Sequence, residues 1–214
     1  MRIDRHERTE GDVQLPFVVW TPSTPRLALS SATLGGGLGV RGWVLNATVA
    51  HGYDRDDPED HLADLARSVE LPGDGVGLMT AVDVTGLVHH ADGGAGAWAT
   101  VGVNEALWAA APALDWHEAT VPYVGTINVV IDLPVRLSDA ALVNAVATAT
   151  EAKCQAMAEA GLDGTGTPTD AVCVLCPPDG PAESYGGPRS VWGSRVARAV
   201  HAAVADGLAA WGSR

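Results

Sequence analysis

The 214-residue chain is expected to adopt an α+β fold, with a mixed or largely antiparallel sheet covered by two long helices and one shorter helix. Three observations lead there. Segments of alternating apolar and polar residues outnumber helical ones, most of them precede the two long helical stretches, and turns rich in Gly and Pro separate them. Two arrangements satisfy the pattern: one sheet with helices over a face, or two stacked sheets between helical layers. A chain of this length holds one substantial core, so residues 1–214 are read as a single domain.

Taken in order, residues 13–20 (VQLPFVVW) and 27–31 (LALSS) are short strands parted by the turn TPSTP. Next comes the loop Ser30 to Gly39, whose Gly35-Gly36-Gly37 can bring several amides to an anion or oxyanion. It lacks the Lys-Ser/Thr ending of a nucleotide-binding P-loop. Residues 42–50 alternate as a strand, with Trp43, Leu45, Ala47 and Val49 on one face and Val44, Asn46 and Thr48 on the other. Pro58 suits the first turn of a helix carrying Leu62, Leu65, Ala66 and Val69, with Asp60, His61, Asp64 and Arg67 on its wet face. Strands follow at 75–84, 86–90 and 97–103, the last two framing the hairpin turn ADGGAGA.

The most informative stretch runs from Gly125 to Cys176. A strand over 124–133 places Thr126, Asn128, Val130 and Asp132 on one face. The helix that follows starts at Ser138, which can cap its free amides, and stops at Gly161. At 100° per residue, Leu142, Val146, Ala149, Ala156, Met157 and Ala160 form one stripe, with Lys153 near its centre and Glu151 pointing the other way. Lys153 is the sole lysine of the chain, which marks it as functional rather than as a stem snorkelling to water. The loop GTGTPTD (164–170) combines glycines with the donors and acceptors of Thr165, Thr167, Thr169 and Asp170. A strand over 170–176, a Pro/Gly-rich linker and a docking helix over about 190–211 complete the chain.

The formal charge of −13 argues against nucleic acid and anionic membranes as partners, because both need basic patches. No apolar run reaches the ~20 residues of a membrane span. The charged start MRIDRHERTEGD lacks the apolar core of a signal peptide, and the protein is expected to be cytoplasmic. Cys173 and Cys176 lie on one strand and face opposite ways, and with Cys154 they read as free thiols. None of the seven histidines has ligand spacing, so no metal is assigned; His51, opening a polar loop after a strand, is the best placed of them, and His117-Glu118 lacks a partner at i+4.

The motifs LSSATLGGG (29–37), WVLN (43–46), GLMTAV (77–82), GTIN (125–128), TEAK (150–153) and GTGTPTD (164–170), in this order, resemble those of the adenosylcobinamide amidohydrolases of cobalamin salvage. The resemblance extends from about Leu29 to the last helix. It implies hydrolysis of the amide joining an aminopropanol arm to the corrin ring, giving adenosylcobyric acid and aminopropanol. The cobalt corrinoid is then the substrate, and no cofactor is expected.

The residues suit amide hydrolysis, which needs a nucleophile or activated water, a proton carrier and donors for the oxyanion. Lys153 is a base candidate, paired with the hydroxyl of Thr126, Thr165 or Thr167. Asn128 and the amides of Gly35, Gly36 and Gly37 are oxyanion-donor candidates. Asp170 either orients Lys153 or holds a substrate amide, and water activated by Asp170 or Glu151 is the alternative to a hydroxyl nucleophile. Asn46 and Thr169 complete the expected substrate-binding set. Two other readings differ in class: an amidase for another amide or ester, and a non-catalytic corrinoid- or small-ligand-binding protein.

Overall fold

The structure, a computed structural model, describes residues 1–112 and 125–213. Val124, expected to begin a strand, and His117-Glu118 lie outside those residues. Two stacked sheets lie between helical layers. The first sheet has the order β1-β2-β5-β6, built from β1 (Arg2–Glu10), β2 (Val13–Thr21), β5 (Val44–Thr48) and β6 (Val76–Thr80). The second has the order β4-β3-β10-β9-β8-β7, from β3 (Arg26–Ser30), β4 (Gly37–Arg41), β7 (Val88–Asp92), β8 (Ala95–Gly102), β9 (Thr126–Asp132) and β10 (Ala171–Cys176). Helix α1 (Pro58–Ser68) covers the first sheet, and α2 (Asp139–Glu159) and α3 (Val191–Gly212) cover the second. Both sheets are mixed, since β5 runs parallel to β6 and β9 runs parallel to β10.

Three apolar clusters hold the layers together, and strand alternation assigns each residue to one. Phe17, Val19, Trp43, Leu45 and Ala47 meet Leu62, Leu65 and Ala66 of α1. Their strand neighbours Val18, Trp20, Val44, Val76 and Leu78 face Ala28, Trp98, Val130, Cys173 and Leu175 between the sheets. On the far side of the second sheet, Ile127, Val129, Ile131 and Val174 pack against α2 and α3. Cys173 and Cys176 therefore do face opposite ways: Cys173 lies between the sheets and Cys176 under the helices, both as free thiols. Burial of Cys173 pushes its thiol pKa up to about 12.

Helix α2 follows its sequence signals. Ser138 accepts a hydrogen bond from Ala141 N at 3.2 Å. At the other end Gly161 has φ +77°, its N–H bonds Ala158 O, and Leu162 N bonds Met157 O, a Schellman ending. In the expected stripe Leu142, Ala149, Ala156 and Met157 are buried, whereas Ala160 is exposed.

Two strands were not anticipated. β1 is rich in charge, yet all nine of its residues pair with β2; charged side chains are a usual way to protect a sheet edge. β4 begins inside the expected glycine loop, with Gly37 already paired to Ser30. The loop itself stitches the two sheets together, because Leu34 exchanges backbone hydrogen bonds with Gly77 of β6. Its glycines answer close backbone approach: a Cβ on Gly35 would fall 1.9 Å from Gly75 O, and one on Gly36 would fall 2.4 Å from Ala32 O. A third correction concerns His61, expected on the wet face of α1. It is buried, because Tyr53 and Glu10 satisfy both ring nitrogens.

Candidate active site

Asp170, at the last position before β10, is the hub. Its Oδ1 accepts from Ile127 N at 2.8 Å and from Thr167 Oγ1 at 2.5 Å. Its Oδ2 accepts from Thr167 N at 3.1 Å and pairs with the Lys153 ammonium. The side chains of Lys153 and Asp170 are only 8% and 12% exposed. Lys153 reaches the pair from α2 across the apolar stripe, so the helix supplies its position and the 164–170 loop supplies its counter-charge. Gly166 makes this contact sterically feasible: a Cβ there would lie 2.5 Å from both Asp170 Oδ2 and Lys153 Nζ.

The loop is anchored from the outside. Leu107 exchanges backbone hydrogen bonds with Thr165 and Gly166, and Thr165 Oγ1 accepts from Ala109 N at 3.0 Å. Cys154, one position after Lys153, donates to Thr165 O. Next to Asp170, Thr169 Oγ1 and Thr126 Oγ1 share a 2.7 Å hydrogen bond. Thr169, Asp170 and Ala171 form one wall of a cavity of about 430 Å³; Ser31, Ala32 and Thr33 form a second, and Leu78, Met79, Tyr53 and Pro58 the rest.

The structure thus brings together Lys153, Asp170, Thr167, Thr169 and Thr126. Thr167 bonds Asp170 rather than Lys153, and Thr165 serves the loop anchor, so among the described residues Lys153 meets a carboxylate and no hydroxyl. Asn128 and Asn46 lie between the sheets. Asn128 Nδ2 donates to Asn46 Oδ1 and to Met79 O, both at 3.0 Å, and Asn46 Nδ2 donates to Thr100 Oγ1 at 3.0 Å. Both amide hydrogens of Asn128 are therefore committed, which leaves none for an oxyanion. Gly35 sits at a different cavity with Arg41 and Trp43, and it is Ser31–Thr33 of that loop that line the cavity with Asp170. Glu151 is exposed on α2. His51 is also exposed, on the loop after β5.

Sequence reasoning missed Tyr53 and Ser31 as cavity residues. Tyr53 lies in a loop that looked merely polar, and Ser31 stands beside the glycines that drew attention instead. Among the described residues no group of three or more His, Cys, Asp or Glu is placed to hold a metal ion, and no helix is long and apolar enough to cross a membrane.

Fold and site together define a four-layer α/β/β/α protein with a buried Lys–Asp pair behind the polar wall of an open cavity. The chain belongs to the adenosylcobinamide amidohydrolase family, whose profile matches residues 2–214. A protein of Methanosarcina mazei named adenosylcobinamide amidohydrolase is 32% identical over 187 residues, covering 83% of this chain and 88% of that protein. Another of that name, from Halobacterium salinarum, is 41% identical over 85 residues, 39% of this chain and 36% of that one. Among solved structures, the L-aminopeptidase D-Ala-esterase/amidase of Ochrobactrum anthropi aligns over 97% of this chain and 83% of its own, at 14% identity and a TM-score of 0.42. At that score the likeness is too loose to carry a fold or a function to this chain.

Proposed function

We propose that this protein hydrolyses the amide that joins the aminopropanol arm to the corrin ring of adenosylcobinamide, releasing adenosylcobyric acid and aminopropanol for cobalamin synthesis. The observation that carries the reading is the family match over residues 2–214. A cavity with polar groups at Ser31, Thr33 and Thr169 supports it. The cavity of about 430 Å³ takes the arm and its amide, with the ring outside at the mouth. Thr169, whose hydroxyl is held by Thr126, hydrogen-bonds the amide, and Asp170 forms the wall beside it. Lys153 stands behind Asp170 and fixes that carboxylate, so it acts as a positioning residue. With four donors already on its two oxygens, Asp170 has no acceptor site left for a water or a substrate amide, and its part is to hold the 164–170 loop against β9 and α2.

Incubation with adenosylcobinamide, followed by mass spectrometry, tests the reading. The wild-type protein is expected to release aminopropanol, and Lys153→Ala to lose turnover while still shifting the corrinoid absorption spectrum. A spectral shift without release from the wild-type protein would point instead to a corrinoid-binding protein.

A further inference from the structure

The cavity that Thr169 and Asp170 line is also bounded by Tyr53, whose hydroxyl begins a chain of part-buried hydrogen bonds. Tyr53 Oη lies 3.0 Å from His61 Nδ1, and His61 Nε2 lies 2.9 Å from Glu10 Oε1. Arg8 Nε donates to the same Glu10 oxygen at 2.6 Å, and its Nη2 donates to Thr48 O at 2.8 Å. A carboxylate only accepts, so the imidazole carries its hydrogen on Nε2 towards Glu10; its Nδ1 is then the acceptor for the Tyr53 hydroxyl. The His61 side chain is 6% exposed, and the rings of Tyr53 and His61 lie 16° from parallel at 5.6 Å. Tyr53 and His61 come from neighbouring segments, the loop after β5 and helix α1, whereas Glu10 comes from the end of β1, 51 residues before His61. Burial works to raise the Glu10 pKa, but its bonds and charge attraction to Arg8 and His61 outweigh that and hold it below the ordinary carboxylate value.

We propose that Tyr53, His61 and Glu10 form the proton relay of the amide hydrolysis, with Tyr53 as the catalytic residue that touches the attacking water and His61 and Glu10 as positioning residues behind it. The proposal rests on the amidohydrolase reading above. In the first step a water oxygen bonds to the amide carbon. The water gives one proton to Tyr53 Oη as the Tyr53 proton passes to His61 Nδ1, and Glu10 stabilises the imidazolium. In the second step the C–N bond breaks. The proton returns from His61 to Tyr53, and Tyr53 hands its own proton to the departing nitrogen. One water is consumed, one acid and one amine result, and the relay ends as it began. The saturated hydrogen bonding of Asp170 gives this arrangement its place, because the carboxylate that lines the same cavity is not free to act as a base.

Tyr53→Phe tests the relay while keeping the ring. General acid–base groups contribute typically about 10²–10⁴-fold, so kcat for aminopropanol release should fall by roughly that range, with KM within a few-fold of wild type. His61→Gln should fall comparably, and the double variant should be no slower than the worse single one. Three results would overturn the relay while the wild-type protein still turns over: an unchanged kcat in Tyr53→Phe, a change confined to KM, or losses that multiply in the double variant. No release by the wild-type protein would overturn both the relay and the function on which it rests.

Discussion

The Lys153–Asp170 pair makes an asymmetric prediction about stability. Replacing Lys153 by Met keeps the apolar stem and removes the charge. Asp170 then still accepts from Ile127 N, Thr167 N and Thr167 Oγ1, so the loss is one charge-assisted hydrogen bond, worth about 1.5–3 kcal/mol. Replacing Asp170 by Asn is worse. Among the described residues Lys153 donates to Asp170 alone, so its ammonium is left buried without a counter-charge, at a cost of about 3–5 kcal/mol. The new amide also turns an NH₂ towards N–H and O–H groups that need an acceptor. With a urea m-value of about 2 kcal/mol/M, Lys153→Met should lower the unfolding midpoint by about 1 M and Asp170→Asn by about 2 M. The Lys153→Met/Asp170→Asn double variant should lose less than the sum, because no unpaired ammonium remains. Equilibrium urea unfolding followed by circular dichroism reads all three. If Lys153→Met costs as much as Asp170→Asn, or if the two losses add in the double variant, the reasoning about this pair is wrong.

Two other outcomes follow from the packing. Gly166→Ala places a methyl against both members of the ion pair; it should cost about 1–3 kcal/mol and abolish most of the turnover, whereas Gly187→Ala, where a Cβ would meet nothing within 4 Å, should be neutral in the same assays. Native alkylation with iodoacetamide near pH 8 should reach Cys154 first, while Cys173, buried and with its pKa pushed up to about 12, should react only after unfolding; peptide mapping gives the order.

What could be read from the sequence was local. Helix α2 announced itself through Ser138, Gly161 and its apolar stripe, and Lys153 stood out as the sole lysine of the chain, set in that stripe. Asp170, 17 residues away, was recognisable because its loop was already suspect. Alternation also separated the two faces of β5 and set Asn46 with Val44, but not which face meets the other sheet. β1 was illegible because its pairing is made by a charged edge strand, and β4 because its glycines looked like an anion loop. Long-range partners were hidden altogether. Nothing near His61 shows that Glu10, 51 residues earlier, will draw it into the interior. Likewise nothing near Asn128 shows that Asn46, 82 residues away, will occupy one of its hydrogens.

The central claim is hydrolysis of one amide of a corrinoid, and its most direct test follows the atoms. Adenosylcobinamide should be incubated with the wild-type protein in water enriched in heavy oxygen, and both products measured by mass spectrometry. The expected result is aminopropanol and adenosylcobyric acid in equal amounts, the acid carrying one heavy oxygen in its new carboxyl group. Adenosylcobinamide recovered intact, whether or not it had bound, would contradict the account.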